Sequence, residues 1–261
     1  MRSHYKLIVK ALFLFAFALA LFSSCVPMKK QIYLQSKDDS TKSEYVNNNK
    51  YLDYKLQPGN NLFVQIVSAS TDASEYFNAG YGSSGNIYYD AAIYLNSYSV
   101  NDSGFVELPF IGEIYVKGLT IDEVKTKVQG IIGKYLKKTM VLVKLVNYNI
   151  SIVGEVRRPG QYKIYQDRIN IFEVLSMSGD MTTYAKREEV VIVRHTENGS
   201  KMHRVDILSD KILESEFYYI MPDDIIYVQP IKGKNFAFSA FPYTLVISSI
   251  SLFLAILAIS K

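Results

Sequence analysis

No charged residue occurs between Asn235 and Ser260, and only Lys261 follows. This closing stretch constrains the chain more than any other. Its core, Pro242 to Ser260 (PYTLVISSISLFLAILAIS), is 19 residues long. A helix of that length covers roughly 28 Å, about the hydrocarbon thickness of a bilayer. Pro242 suits the first turn, where its missing N–H costs nothing. Residues 233–261 are therefore expected to form a C-terminal transmembrane helix, not a helix packed on a soluble body. Thr244, Ser248, Ser251, Ala255 and Ala258 recur at spacings of 4, 3, 4 and 3 and share one face. A stripe of small residues lets helices approach closely in lipid, or lines a wet lumen; either use implies several copies of the chain. The competing reading is that the hydroxyls bond back to their own helix.

Residues 1–24 read as a sorting signal. Arg2, Lys6 and Lys10 precede a 12-residue apolar core, Ala11 to Phe22, which is too short to span a bilayer comfortably. Leu21-Phe22-Ser23-Ser24-Cys25 resembles a bacterial lipobox, with Cys25 as the lipidation site. Ordinary signal cleavage beside an incidental cysteine is the alternative. Cys25 is the single cysteine, so no intramolecular disulfide can form. With about 0.8 kcal/mol per buried CH₂, two or more acyl chains anchor a protein stably. Both ends of the chain would then lie in a membrane, with the middle outside the cytoplasm.

Removing residues 1–24 leaves 29 − 3 = 26 Lys and Arg against 25 Asp and Glu. The mature chain is nearly neutral. With no Arg/Lys-rich helix or zinc-finger spacing, nucleic acid is not an expected partner.

Residues 25–50 are polar and read as a tether from the lipid to the first folded unit. Residues 51–146 form that unit. Tyr54 to Gln57 suggests a short strand, Pro58-Gly59 a turn, and Leu62 to Val67 a strand. Thr71 to Ser97 reads as a long loop or insertion. It has Tyr76, Tyr81, Tyr88, Tyr89 and Tyr94 in or beside it, for which ordinary packing is favoured over stacking on sugars. Tyr98 to Gly112 reads as strand, turn, strand. Thr120 to Leu136 is a helix opened by a Thr120/Glu123 capping box, with Ile121, Val124, Val128, Ile131, Ile132 and Tyr135 on its buried face. Met140 to Val146 is a strand.

Residues 147–232 form a second unit. Ser151 to Val153 is a strand, and Pro159-Gly160 a turn with positive φ available at the glycine. Asn170 caps a short helix that ends before Gly179. Val190 to His195 and Lys201 to Ile207 form a hairpin across Asn198-Gly199. Phe217 to Ile220 and Ile225 to Val228 flank a turn, Met221-Pro222-Asp223-Asp224. The fold class is α+β: two small mixed units, the second grasp-like, followed by the C-terminal helix.

No catalytic constellation can be assembled. The mature chain has two histidines, His195 and His203. A two-residue Asn198-Gly199 turn sets His195 opposite Met202 and Arg194 opposite His203, so the histidines fall on opposite sheet faces and share no metal there. Asp223-Asp224 reads as a solvated turn. No nucleophile elbow, zinc-protease helix or phosphate-binding loop occurs. No enzyme activity, cofactor or metal is expected.

The ordered motifs resemble a known family. The lipobox is followed by Tyr54-Lys55-Leu56-Gln57-Pro58-Gly59, then Gly104…Leu108-Pro109…Ile111-Gly112, then Val116-Lys117-Gly118-Leu119-Thr120…Glu123. Next come Val153-Gly154-Glu155-Val156…Pro159-Gly160-Gln161-Tyr162 and Met221-Pro222-Asp223-Asp224-Ile225-Ile226-Tyr227-Val228. This series is similar to the polysaccharide biosynthesis/export family, the Wza-like outer-membrane lipoproteins. The resemblance marks 51–146 as a polysaccharide-export domain and 147–232 as one soluble-ligand-binding β-grasp (SLBB) domain. Pro58, Gly59, Gly154, Pro159 and Gly160 stand at its motif turns, and Asn60 stands where the family has an aspartate. It implies a homo-oligomeric ring of about eight subunits, lipid-anchored in the outer membrane with periplasmic domains. Its helices would form a barrel that passes capsule or exopolysaccharide handed over by an inner-membrane co-polymerase or tyrosine kinase. The alternative is a membrane-tethered carbohydrate-binding or adaptor lipoprotein that forms no pore.

Overall fold

The computed structural model describes residues 27–36, 53–68, 77–78, 90–196 and 199–231, with positions 244, 247, 248 and 251. The described chain is mixed α/β, built on sheets with few helices. Its buried apolar side chains gather in two clusters, one from Leu56 to Val143 and one from Tyr148 to Val228, and Leu145 packs against both.

The first cluster forms where alternating strands meet one helix. β1 (Asn61–Ser68) pairs antiparallel with β2 (Tyr98–Ser99) on one side and β5 (Thr139–Leu145) on the other. Period-two alternation turns Leu62, Val64, Ile66, Val141 and Val143 inward, all buried. β3 (Phe105–Leu108) and β4 (Gly112–Tyr115) form a hairpin that adds Val106, Leu108 and Ile114. A short helix, α1 (Asp90–Leu95), precedes β2. α2 (Ile121–Ile132) covers the inner face with Val124, Val128 and Ile132, each fully buried and each worth about 1.5–3 kcal/mol of burial. Both halves of its capping box form: Glu123 N–H donates to Thr120 Oγ1 at 3.2 Å, and Thr120 N–H to Glu123 Oε2 at 2.7 Å. Gln129 ties the helix to strand β5, accepting from Val141 N–H at 2.9 Å and donating to Thr139 O at 2.7 Å.

Four expectations for this unit change. Tyr54 to Gln57 forms no strand; Leu56 instead exchanges backbone hydrogen bonds with Gly118 and Leu119. The 71–97 stretch contains α1, and within it Tyr94 is exposed while Tyr76, Tyr81, Tyr88 and Tyr89 lie outside the described residues. The strand expected to run to Gly112 ends at Leu108, and Gly112 instead opens a further strand, β4. The helix stops at Ile132, four residues early, so Tyr135 rotates off the buried face and is 67% exposed.

The second cluster lies in a five-stranded sheet of order β10-β9-β12-β6-β7. Its strands are β6 (Asn149–Gly154), β7 (Gly160–Lys163), β9 (Ala185–Thr196), β10 (Gly199–Val205) and β12 (Ile225–Pro230). β6 and β12 run parallel, and the remaining pairs are antiparallel. A two-stranded pair, β8 (Ile169–Asn170) with β11 (Tyr219–Ile220), brackets α3 (Ile171–Met177), which buries Ile171, Val174 and Leu175. Asn170 caps α3 with a complete capping box, and Gly179 follows at φ +75°.

Three corrections apply here. The hairpin pairs Thr196 with Gly199 and His195 with Ser200, so Gly199 belongs to the ladder and not to the turn. The register moves by two residues, which preserves parity, and the histidines still fall on opposite faces. Gly160 takes no positive φ; it pairs with Ile152 as the first residue of β7. Residues 27–36 are not a free tether to the first unit. They dock on the second, as described below.

Most of the expected 233–261 helix lies outside the described residues, as do Cys25, Ala255 and Ala258. Among the described residues no helix is long and apolar enough to cross a membrane. Thr244, Ile247, Ser248 and Ser251 are helical. Ser248 and Ser251 donate to the carbonyls of Thr244 and Ile247 at 2.7 and 2.9 Å. Their hydroxyls are thus satisfied within the helix.

Candidate functional site

Two places carry polar architecture beyond what the core needs: the joint between the units, and the opposite end of the large sheet.

The joint is built from the Pro58-Gly59 turn. Gly59 sits at φ +86°, the left-handed value a type II turn requires of its third residue. Asn60, nearly fully buried, follows; its Oδ1 accepts from Gln57 N–H at 2.8 Å and Tyr54 Oη at 3.0 Å. The amide oxygen thus fills an acceptor position without adding a charge to the interior. Asn147, at the passage from β5 to β6, reaches back. It accepts from Asn61 N–H at 2.9 Å and donates to Gly59 O at 3.0 Å. The second unit contributes the Met221–Asp224 turn, whose Asp223 N–H donates to Asn149 O at 2.8 Å. Burial pushes the Tyr54 phenol up to about 12; the hydrogen bond with Asn60 opposes this, and the nearby charges of Asp223 and Asp224 add to it. The Met221–Asp224 turn, 221 − 58 = 163 positions beyond Pro58, therefore lies close enough to Tyr54 for its charges to act there. Exposed pairs Lys144–Asp167 (2.7 Å) and Arg168–Asp53 (3.9 Å) flank it and contribute little.

Asp224 is not solvated. It is fully buried, and its carboxylate accepts from Arg194 Nη2 at 2.6 Å and Nε at 2.9 Å and from Met221 N–H at 2.8 Å. Tertiary packing overrides the polar look of the turn because β9 brings Arg194 over it. Asp223, at φ +63°, has its carboxyl pushed above the usual range by burial and by Asp224, against a lowering influence of His195.

Gly154 ends β6 at φ +94°, and a Cβ there would stand 2.0 Å from Val228 O. Only glycine permits this approach, which lets Glu155 N–H reach Val228 O at 2.9 Å. Pro159 is exposed in the loop before β7.

The far end of the sheet gathers both terminal segments. β6 starts at the joint and β12 runs parallel to it, so both strands end away from the first unit. Past β12, Ile231 N–H donates to Tyr184 O at 2.8 Å, just before β9 begins. Residues 27–36 lie across the same end. Lys30 pairs with Glu188 at 3.3 Å. Tyr33 Oη donates to Asp180 at 2.6 Å and accepts from the buried Arg187 at 3.3 Å. Burial and Asp180 push the Tyr33 phenol up to about 12. Gln35 bridges to Ser209. Beneath it a groove of about 730 Å³ is lined by Gln35, Arg204, Asp206, Lys211 and Phe217, among others.

Among the described residues no group of three His, Cys, Asp or Glu could hold a metal. Asn147, the Arg194–Asp224 pair and the Tyr33–Asp180–Arg187 set were not legible in the sequence. The alternation of Gln31, Tyr33 and Gln35 with Ile32 and Leu34 was the one available signal: the first set is half-buried and the second exposed.

Residues 48–146 match the family described as polysaccharide biosynthesis/export protein. The EPS I polysaccharide export outer membrane protein EpsA of Ralstonia nicotianae is 29% identical over 92 residues, covering 34% of this chain and 24% of the relative. EpsA of Ralstonia solanacearum is 32% identical over 85 residues, covering 31% of this chain and 22% of the relative. The chain thus spans about a quarter of the length of the curated relatives it matches. The matched family is one of export proteins, not of enzymes. Through the unit that carries the Pro58-Gly59 turn, β1 to β5 and the capped helix α2, residues 48–146 are similar to the polysaccharide biosynthesis/export family.

Proposed function

We propose that this chain is a subunit of an outer-membrane polysaccharide export channel. It is lipid-anchored at Cys25 and held by the C-terminal apolar stretch. Its second unit acts as a single SLBB β-grasp domain. Copies close into a ring of about eight, and capsule or exopolysaccharide passes through after hand-over from an inner-membrane co-polymerase. Selectivity comes from the lining of the passage, not from covalent chemistry.

The family match of residues 48–146 carries this reading. Further support comes from the sheet end where both terminal segments emerge. The strap starts two residues after Cys25, and the chain leaves at Ile231, beside Tyr184, a few residues before the uncharged stretch. Two anchors leaving one pole can enter one membrane while the first unit points away from it.

The mass and shape of the detergent-extracted mature chain test the proposal. Light scattering and negative-stain imaging should give a closed ring with a central gap. A folded monomer or dimer would replace the channel by a tethered adaptor. Deleting 242–261 should abolish export, whereas an adaptor held by Cys25 would keep working.

A further inference from the structure

We propose that the strap 27–36 is a membrane-seating element, with Met28, Ile32 and Leu34 immersed in the interface of the bilayer that holds the chain. This rests on the anchoring proposed above.

Tyr33 turns toward the protein, where its ring packs on the second cluster edge-on to Phe172 and its hydroxyl bonds Asp180 and Arg187, while Gln35 bonds the strap's own carbonyls. Met28, Ile32 and Leu34 turn to solvent with 77%, 49% and 42% exposure. Burial of apolar surface disfavours leaving three apolar side chains exposed on a docked segment, so this outer face marks a surface that meets something apolar. Leu34 also sits at φ +54°, an uncommon backbone conformation for a residue with a branched side chain.

Chain length identifies the occupant. Met28 is three residues from Cys25, at most about 11 Å along a fully extended chain. An interfacial element buries its apolar face about 5–10 Å into the headgroup and acyl boundary. A lipid on Cys25 therefore holds Met28 within reach of that layer. The exit at Ile231 sets the second anchor at the same pole. Lys29 and Lys30, on the 3₁₀ turn Met28–Lys30, suit anionic headgroups.

The test uses the full mature, lipidated chain in vesicles of phosphatidylethanolamine and phosphatidylglycerol. A nitroxide is placed at Ile32→Cys and, as a control in the first unit, at exposed Lys137→Cys. Collisional relaxation by oxygen and by a water-soluble nickel chelate is then compared. The expected result is a label at 32 favouring oxygen at least threefold over the label at 137, and losing that preference when Met28→Asp and Leu34→Asp are added. Co-flotation with the vesicles reads the anchoring separately. A protein that does not float overturns anchoring and strap together. A floating protein with equal accessibility at 32 and 137 overturns the strap alone. A label at 32 shielded from both reagents also overturns it, and assigns the face to a second copy of the chain.

Discussion

Arg194 grips Asp224 through two nitrogens, Nη2 at 2.6 Å and Nε at 2.9 Å, and the carboxylate it grips is fully buried. The pair closes the Met221–Asp224 turn from inside the second unit. That turn presents Asp223 to Asn149 and brings its charges near Tyr54 of the first unit.

Removing one partner leaves the other buried and uncompensated. Asp224→Ala should cost about 3–5 kcal/mol, since Met221 N–H also loses its acceptor. Replacing both, as Arg194→Met with Asp224→Leu, should cost clearly less than the sum of the single changes. Urea unfolding of the four proteins in a double-mutant cycle measures the coupling.

Asn147→Ala removes both bonds that tie β5's exit to the Pro58-Gly59 turn. The expected cost is about 1–3 kcal/mol, from the N–H of buried Asn61 left without its acceptor, whereas the exposed Gly59 carbonyl can turn to water. Hydrogen exchange should locate it: the Asn61 amide exchanges faster, while amides in the α3 interior are unchanged.

Asp223 holds a carboxylate at positive φ beside another carboxylate. Asp223→Gly should raise the melting temperature at pH 7 by a few degrees, corresponding to about 1 kcal/mol. The raised carboxyl pKa fixes the sign of the pH effect. The native state holds this proton above the unfolded pKa, so the wild type gains on the variant as pH falls through the raised value. A melting series from pH 7 to pH 4 checks both.

Tyr54 stays protonated in the fold up to about 12, against about 10 in the unfolded chain. Its contribution is complete below pH 10 and is lost as pH rises from 10 to 12, by up to about 2–3 kcal/mol. Tyr54→Phe forfeits the bond to Asn60 but should flatten this alkaline loss. Denaturant midpoints at pH 9, 10 and 11 test it.

What the sequence determined is local. Thr120 with Glu123 and Asn170 with Glu173 specify two helix starts, because a capping box needs only four consecutive residues. The Pro58-Gly59 and Met221–Asp224 turns, and strands with period-two alternation, follow from equally short-range rules. The six-position apolar face of α2 was legible too, except at Tyr135, where the helix had already ended at Ile132. The tertiary structure decided what depends on distant partners. Asp224 looks like any exposed turn residue until β9 places Arg194 across it, 30 positions away in sequence. Tyr33 looks like part of a tether until Asp180 and Arg187 receive it. Gly160 joins a ladder because Ile152 pairs with it. Short-range chemistry fixes where elements begin and turn. Which side chains are taken out of water depends on sheet order and on contacts between residues far apart in the chain, and no window of neighbouring residues contains that information.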